Sequence, residues 1–395
     1  MKRHIYKNAE DIFVKKNNIK IIQTIAVLCT AALVCGCSIR PADQRSVAEA
    51  VNETFVSDVA DAADSESWEN DTADPSESIT AEDQEGLSSE LYAMDTVMYL
   101  TAYGTHAKEA LDAAETEISR LDALLSISSE SSDIYRVNQN GSGELSEDTT
   151  ELLTSALRYF HETDGLFDCT IEPIMETWGF TTHNYHVPDP SELSELLPLV
   201  DASAVSLSGN QVDLPYGARL DLGGIAKGFT SARVMDIFAR NGVTSGIISL
   251  GGNVQTLGRK PDGSLWRVGI QDPGDLNSML AIVEVADEAV ITSGTYQRFF
   301  ELDGARYHHI IDPRTGYPAD SGLTSVTIIS PDGTLADALS TSLFIMGAEK
   351  AAAFWQQHKD KFDAIMMTDD GTVLVTAGLA DRCQITNGGK AEVIS

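Results

Sequence analysis

The acidic stretch between residues 41 and 90 most constrains the fold, because it separates chain that can form a core from chain that cannot. It holds 15 Asp and Glu residues against one basic residue, Arg45, and its only aromatic residues are Phe55 and Trp68. Such a composition buries too little apolar surface to offset the entropy lost on ordering. We therefore predict a disordered, self-repelling tether over residues 38–90 and a folded domain over residues 91–395. An acidic partner-binding tail is the alternative for the tether.

The first 37 residues have the parts of an export signal. Basic residues occur between positions 2 and 20, an uncharged apolar run covers residues 21–34, and Cys35-Gly36-Cys37 follows. The run is shorter than the roughly 20 residues that span a bilayer. A cysteine after glycine at this point resembles a bacterial lipobox, which predicts a lipoprotein signal over residues 1–37 with Cys37 as the lipidated residue. The expected location is the extracytoplasmic face of the cell membrane, and an uncleaved short anchor is the alternative.

Charge and cysteine content narrow the function classes of the folded part. Residues 91–395 carry 43 acidic and 19 basic side chains, a net charge of −24, which argues against a nucleic-acid partner. A bound anion must therefore be held locally, by backbone N–H groups or through a cation. Cys169 and Cys383 are the only cysteines in this part, too few for a disulfide framework, and the sequence leaves their pairing open.

Hydrophobic periodicity predicts a mixed α/β domain whose sheets are flanked by helices. A strand is expected over residues 93–100, with Met94 and Met98 on one face, and another over residues 324–330. Helices are expected over residues 107–121 and 149–161, from the glycines near 224 to about 240, and from 335 onward. A last hairpin turns at residues 369–371.

The stretch from Tyr307 to Tyr317 concentrates the chemistry, because it holds two imidazoles, a carboxylate, a guanidinium and a hydroxyl. Two apolar residues separate the histidines from the turn at Asp312, which predicts a strand that ends where its polar neighbours converge on a site. A surface hairpin with a histidine pair is the alternative.

Three other stretches carry weaker signals for an anion or metal site. Residues 221–228 combine an extended start, two glycines and a helix N-terminus, which can face an anion, although the spacing matches neither GxGxxG nor a P-loop. Residues 292–294, Thr-Ser-Gly at a strand end, offer hydroxyls and backbone groups to phosphate oxygens, or form a plain turn. Asp337 and Thr341 share a helix face, and oxygen ligands suit a hard cation such as Mg²⁺; ordinary capping is the alternative.

Nine short motifs follow one another along the folded part. They are Met94-x-Thr96, Ser126 through Ser132 to Asn138, Gly165-x-Phe167-Asp168, Trp178-Gly179, Asp221 to Gly228, Gly251-Gly252-Asn253, Thr292-Ser293-Gly294, His309 to Gly316, and Ala336-Asp337-Ala338-x-x-Thr341. Together, and in this order, they resemble the ApbE family, the FAD:protein FMN transferases. The resemblance covers residues 91–395 and implies an ApbE-type domain of mixed and antiparallel sheets flanked by helices.

The resemblance implies an activity and its partners. The enzyme would split FAD at its pyrophosphate, move FMN onto a Thr or Ser hydroxyl of an acceptor protein and release AMP, with Mg²⁺ bridging the phosphates. Acceptors would be FMN-binding subunits of membrane redox complexes or related extracytoplasmic flavoproteins.

The resemblance also implies residue roles. The metal positions are Asp337 and Thr341 by side chain and Gly224 by its carbonyl. His309 would lie near the reacting phosphate and act as the base; Asp312 would orient it or itself be the base, and we favour His309. The FAD-binding positions are Met94, Leu166, Phe167, Asp168, Asp221, Lys227, Thr292, Ser293, Gly294, Ile311 and Thr315.

Two departures from the family pattern matter. Ser128 stands where many members have an aromatic residue that stacks on FAD, and Asp95 stands where glycine is commoner. Two alternative functions remain: an FAD pyrophosphatase that uses water as nucleophile, and a non-catalytic flavin-binding lipoprotein. Asp337 and Thr341 argue against the second, because a binding protein needs no metal for hydrolysis.

Overall fold

The computed structural model of this chain describes residues 86–395. The predicted signal with Cys37 and residues 38–85 of the predicted tether lie outside the described residues. Strand β1 begins at Gly86 and pairs along its whole length with β2, from Gly86 opposite Tyr103 to Ala93 opposite Thr96. The predicted boundary between tether and domain was therefore wrong at its end, because residues 86–90 gain backbone partners in a sheet.

The described part of the chain contains 17 strands, whose bounds follow in chain order. They are β1 (Gly86–Ala93), β2 (Thr96–Tyr103), β3 (Ser142–Glu144), β4 (Ser206–Ser208), β5 (Gln211–Asp213), β6 (Ser245–Leu250), β7 (Asn253–Leu257), β8 (Trp266–Asp272), β9 (Asp275–Val285), β10 (Ala289–Gly294), β11 (Phe299–Leu302), β12 (Ala305–His308), β13 (Leu323–Ser330), β14 (Asp363–Thr368), β15 (Val373–Thr376), β16 (Cys383–Ile385) and β17 (Ala391–Ile394).

Eight α-helices occur in residues 86–395, and the helices predicted from periodicity are among them. They are α1 (Ala107–Leu125), α2 (Asp133–Asn140), α3 (Glu147–Glu162), α4 (Glu172–Trp178), α5 (Pro190–Leu196), α6 (Gly223–Arg240), α7 (Gly333–Met346) and α8 (Ala348–His358). None of these helices has both the length and the apolar character that a membrane span requires. Cys169 and Cys383 are unpaired, with Cys169 buried.

A nine-stranded sheet organises the domain, in the order β1-β2-β6-β7-β10-β13-β14-β15-β17. Its neighbours are antiparallel except for the last pair, β15 and β17, which is parallel. Smaller sheets are formed by β16-β9-β8, by β3-β5-β4 and by the hairpin β11-β12. This arrangement confirms the predicted α/β class with largely antiparallel sheets.

Helix α7 lies at the centre of the largest core cluster, and its composition explains why. Twelve of its 14 residues are buried, including Leu339, Leu343 and Phe344. A helix that is apolar on most of its circumference is stable only when other elements surround it. Helix α6 packs across α7, so any polar group on α7 must find its partner inside the protein.

A tight turn, rather than a continuous strand, occupies residues 94 and 95. Met94 and Asp95 both have positive φ, 50° and 59°, and β2 begins only at Thr96. Two consecutive residues of this kind are typical of a two-residue hairpin connection. The prediction of one strand over residues 93–100 was therefore wrong at its start, and Met94 lies in the turn instead of on a strand face.

Candidate functional site

The crossing of α6 and α7 creates the first half of the site. A Cβ atom on Gly228 would lie 2.2 Å from the carbonyl oxygen of Gly333, so only glycine lets the two helix backbones approach this closely. At the crossing, the Asp337 carboxylate accepts the Gly228 N–H at 2.8 Å through Oδ2 and the side-chain amide of Asn253 at 3.0 Å through Oδ1. Asp337 is only 5 % exposed, and these two bonds fix its orientation.

Gly224 lies one turn before Gly228 and is exposed at the start of α6. In a regular helix the Gly228 N–H points at the Gly224 carbonyl. Because that N–H also bonds to Asp337, the Gly224 carbonyl and the Asp337 carboxylate lie on the same side of α6. The Phe167 ring lies beside Gly224, since a Cβ atom on Gly224 would be 3.4 Å from it. The predicted metal positions 224 and 337 are therefore neighbours in space.

Thr341 follows Asp337 by one helical turn and meets the end of β10. Its hydroxyl lies 3.2 Å from the Ser293 hydroxyl, which also bonds to Ser340 at 2.8 Å. Ser293, predicted to bind FAD, therefore lies beside Thr341, one of the predicted metal positions. In this part of the structure, the oxygen donors of three segments converge: the start of α6, the middle of α7 and the end of β10.

The two neighbours of Ser293 are engaged elsewhere. Thr292 points to the opposite face of the sheet, where its hydroxyl bonds to that of Thr327 at 2.8 Å. The Gly294 N–H donates to Gln297 Oε1 at 3.2 Å, and the same side chain donates to the Thr292 carbonyl at 3.0 Å. In the described structure these groups therefore have partners within the protein, because Gln297 closes the turn on itself, and their contact with phosphate oxygens stays a prediction.

His309 follows the end of β12 and forms the second half of the site. Its backbone N–H and its Nδ1 both contact the Arg298 carbonyl, at 3.0 and 3.1 Å. A carbonyl oxygen only accepts, so Nδ1 carries the proton and Nε2 keeps its lone pair. Burial, reinforced by the nearby Arg298 charge, lowers the pKa of His309 to about 3, which keeps the ring neutral.

Lys227 and Arg298 are the cations of this half. Their charges act on both His309 and Asp221, which places all four residues in one neighbourhood. Burial raises the pKa of Asp221, while its hydrogen bond from the Gly223 N–H at 2.7 Å and the two cations oppose the rise. Since Lys227 precedes Gly228 on α6, the first turns of this helix connect the His309 half to the Asp337 half.

Asp312 does not orient His309, contrary to one of the two roles considered for it. Arg314, two residues further on, donates to both its carboxylate oxygens, at 2.9 Å through Nε and at 2.7 Å through Nη2. Burial alone would raise the pKa of Asp312, but the bonds from Arg314 outweigh it and the pKa is lowered. The atom that orients His309 is the Arg298 carbonyl.

Thr315 and Ile311 belong to the same turn and to the packing beneath it. The exposed Thr315 donates through its hydroxyl to the Asp312 carbonyl at 3.4 Å and accepts the Tyr317 N–H at 3.2 Å. Ile311 is buried in a small cluster with Trp178. The described contacts of both residues are therefore structural.

The remaining predicted FAD positions lie around the start of α6. Met94 donates its N–H to Asp122 at 2.9 Å, and its sulfur lies 3.7 Å from the hydroxyl of Thr230 on α6. Leu166 and Phe167 are buried in the main core. Asp168 accepts bonds from Thr170 in its own loop and from the Ala202 N–H at 3.2 Å, so it ties its loop to the turn that begins at Ala202. Burial raises the pKa of Asp168.

Sequence reasoning missed three residues that hold the site together: Arg298, Gln297 and Asn253. Asn253 belongs to the Gly251-Gly252-Asn253 motif, to which no role was assigned. The signal for it was Asp337, because a carboxylate on an apolar, buried helix needs a hydrogen-bond donor nearby. Arg298 had a signal too, since a strongly acidic domain must place cations where an anion binds. Gln297 had none, because its side chain closes a local turn.

One cleft of the described structure lies away from the predicted site residues. A cleft of about 610 Å³ is lined by residues 138–142 and 213–219, none of which is a predicted site residue. Within residues 86–395 no group of three or more His, Cys, Asp or Glu side chains is arranged to hold a metal. The site is identified instead by one buried carboxylate, one neutral imidazole and two cations that meet at the start of α6.

Comparisons with known proteins show which family the chain is similar to. The ApbE family model matches residues 94–366. A Treponema pallidum protein named FAD:protein FMN transferase is 36 % identical over 296 residues, covering 70 % of this chain and 82 % of that protein. The Escherichia coli K12 protein of the same name is 33 % identical over 273 residues, covering 65 % of this chain and 78 % of its own length.

Solved structures show the same likeness. The ApbE protein of Thermotoga maritima aligns with a TM-score of 0.71 at 30 % identity and covers 74 % of this chain and 98 % of its own. The flavinyl transferase ApbE of Pseudomonas stutzeri, in its apo form, aligns with a TM-score of 0.66 at 30 % identity, covering 73 % of this chain and 92 % of its own.

Proposed function

The chain belongs to the ApbE family, and from this premise we propose that it transfers FMN from FAD to a Thr or Ser hydroxyl of an acceptor protein, releasing AMP. One observation carries the proposal. A neutral imidazole with a free Nε2 lies next to two cations, and the helix that carries one of these cations also binds a buried carboxylate. This arrangement suits a reaction in which a hydroxyl must lose a proton beside a diphosphate.

The donors around Asp337 fit Mg²⁺. Mg²⁺ prefers oxygen ligands and is usually bound by one or two carboxylates together with substrate phosphates. Asp337, Thr341 and the Gly224 carbonyl offer one carboxylate, one hydroxyl and one carbonyl, and the FAD phosphates would supply further oxygens. When bound, the ion would neutralise charge on the diphosphate. The bonds from Gly228 and Asn253 would keep the Asp337 carboxylate in place for it.

His309 is proposed as the base. Its Nε2 would take the proton from the acceptor hydroxyl, whose oxygen forms the new bond to the FMN phosphorus. The bond between this phosphorus and the bridging oxygen breaks, and AMP leaves with that oxygen. The Arg298 carbonyl would hold the ring in the required tautomer throughout. Asp312 stays the alternative base, but its bidentate pairing with Arg314 makes it the weaker candidate.

Lys227 and Arg298 would compensate the charge of the diphosphate. The domain over residues 91–395 carries a net charge of −24, so its overall field repels FAD. A local pair of cations is then needed beside the reacting phosphate. Lys227 and Arg298, whose charges act on the proposed base, would provide it.

A second function is carried by the same observation. Water could replace the acceptor hydroxyl at His309 Nε2, and the products would be FMN and AMP. The arrangement of the described residues favours neither nucleophile, so the experiment below is designed to separate them.

We also propose a location and a class of partner. The basic, apolar and Gly-Cys elements of residues 1–37 support lipidation at Cys37, and the acidic composition up to residue 85 supports a spacer that holds the domain away from the membrane surface. The acceptor would be an FMN-binding protein on the same, extracytoplasmic side.

The test incubates the full chain with FAD, Mg²⁺ and an FMN-binding acceptor domain, and follows covalent flavin fluorescence in a denaturing gel together with free FMN. We expect a labelled acceptor with the unmodified chain. We expect a loss of about 10²- to 10⁴-fold in rate for His309→Ala, the range typical of a general base, and a comparable loss for Asp337→Ala. His358→Ala in α8 is the matched control and should retain full activity.

The reaction products distinguish the transferase from the pyrophosphatase and from a flavin-binding protein. FMN and AMP without a labelled acceptor would favour the pyrophosphatase. Intact FAD in every reaction would overturn both enzymatic functions and leave the flavin-binding protein.

A further inference from the structure

Asp95 lies at the edge of the described site, although nothing in the transfer reaction requires it. It occupies the turn between β1 and β2 with φ 59°, a conformation that Asp and Asn tolerate better than most residues. Its Oδ1 accepts the Tyr92 hydroxyl at 2.8 Å, which fixes the direction of the carboxylate.

The other oxygen of Asp95 faces the side chains of Arg298 and His183. Oδ2 lies 3.7 Å from Arg298 Nη2 and 3.5 Å from His183 Nε2. The distance to Arg298 is too long for a direct hydrogen bond. The Asp95 and Arg298 side chains are 49 % and 37 % exposed, so solvent screens the pair. An exposed pair of this kind contributes little stability, and a stronger anion can displace it.

Arg298 makes two further contacts besides the one with Asp95. One of its Nη2 protons is directed at the Phe180 carbonyl, and its main-chain carbonyl orients His309. A guanidinium has five N–H donors in a planar fork that suits phosphate oxygens. The side chain is thus anchored at one point, next to the proposed base, with a weakly held carboxylate on its other side.

We propose that Asp95 is an internal counter-anion that occupies Arg298 in the free protein and that the diphosphate of FAD must displace. This inference rests on the proposed function, because it assumes that FAD is the ligand of the site. Asp95 then lowers the affinity for FAD in two ways: it competes for Arg298, and it repels the incoming diphosphate. Asp95 is a positioning and affinity-setting residue, and it takes no part in the chemical step.

The experiment measures FAD and riboflavin binding to the full chain by flavin fluorescence, in EDTA and, at short times, in Mg²⁺. Asp95→Asn keeps the shape and the turn conformation but removes the charge, and Asp95→Gly is a second variant. Asp303→Asn is the matched control, because Asp303 also sits in a hairpin turn with positive φ, 51°, and the substitution removes the same charge away from Arg298. Arg298→Ala and the double variant with Asp95→Asn complete a thermodynamic cycle.

We expect Asp95→Asn to tighten FAD binding by about two- to tenfold, the range set by an exposed ion pair together with relief of repulsion. Riboflavin, which lacks phosphate, should bind unchanged, and Asp303→Asn should bind FAD like the unmodified chain. In the Arg298→Ala background, Asp95→Asn should bring little further gain, because the competed cation is missing.

Four results would overturn the inference. Weaker FAD binding by both Asp95 variants would mean that Asp95 holds FAD directly. An equal gain for Asp303→Asn would mean that net charge alone is responsible, and a full gain without Arg298 would mean that Arg298 is not the competed group. Binding of no flavin by any variant would overturn the proposed function as well, which distinguishes the two failures.

Discussion

Replacing Gly228 by alanine tests whether the close crossing of α6 and α7 builds the site. The new Cβ atom would lie 2.2 Å from the Gly333 carbonyl oxygen and 2.7 Å from Asp337 Cβ, well inside van der Waals contact. The first of these atoms is backbone, so it cannot rotate away. Overpacking costs about 1–3 kcal/mol, whereas alanine in place of glycine gains about 1 kcal/mol of helix propensity. Because the clash involves two helix backbones, we expect a net loss near 2 kcal/mol.

Gly224→Ala is the matched control on the same helix. Its Cβ atom would lie 3.4 Å from the Phe167 ring, an ordinary contact, so the free energy of unfolding should stay the same or rise slightly. Urea unfolding of the full chain, followed by tryptophan fluorescence, measures both changes through the midpoint at constant slope. Gly228→Ala should also raise the Mg²⁺ concentration needed for activity, since Asp337 moves with α7. A Gly228→Ala variant as stable as the control would refute the crossing as the constraint.

Three further predictions follow from single contacts. Asn253→Ala removes the amide donor of Asp337 Oδ1. The free energy of unfolding, measured with urea, should therefore fall by about 1–3 kcal/mol, and activity should need a higher Mg²⁺ concentration. An unchanged unfolding midpoint and an unchanged Mg²⁺ requirement would contradict this. Burial raises the pKa of Glu172 to about 7 despite its 2.8 Å pair with Arg219. The folded state then binds more protons than the unfolded state between about pH 4.5 and pH 7, so the contribution of Glu172 to the free energy of unfolding decreases as pH rises through that window. Glu172→Gln should make the free energy of unfolding depend less on pH there. An unaltered pH profile would contradict this prediction. His309 should stay neutral from pH 8 down to about pH 4 in an NMR titration of the free protein. A transition near pH 6.5 would show that water reaches the ring and would contradict this prediction.

The fold class was predictable from the sequence where a local pattern determines the structure. The alternation and helical spacing of apolar residues predicted β13 and the helices α1, α3 and α6, and the Asp-Gly turn predicted the hairpin of β14 and β15. The hairpin turn at Met94 was not predictable in this way. Asp95 adopts a conformation that glycine prefers, and a Met-Asp pair gives no turn signal of the kind that Asn-Gly or Asp-Gly gives.

The site residues, like the elements of the fold, were predictable only where a local sequence pattern determines their position. Asp337 and Thr341 were found because their spacing places them on one face of a helix, and the structure shows that face meeting Ser293. The donors that fix Asp337 come from β7 and α6, far away in the sequence, and no local pattern predicts them. Helix spacing thus identifies which side chains share a face of a buried helix. Their hydrogen-bond partners come from distant parts of the sequence and are known only from the tertiary fold.

Asp312 shows why closeness in sequence misled the assignment of roles. A carboxylate three residues after a histidine looks like a partner for it, yet Asp312 follows the end of a strand and opens a turn. In a turn an Asp side chain bonds readily to the backbone two residues on, and here it accepts both the Arg314 N–H, at 2.9 Å, and the Arg314 guanidinium. His309 instead takes its orientation from the Arg298 carbonyl, which lies across the hairpin of β11 and β12. The register of that hairpin, which pairs Phe299 with His308, therefore sets the tautomer of the proposed base, so a change in the register would alter catalysis without touching either side chain.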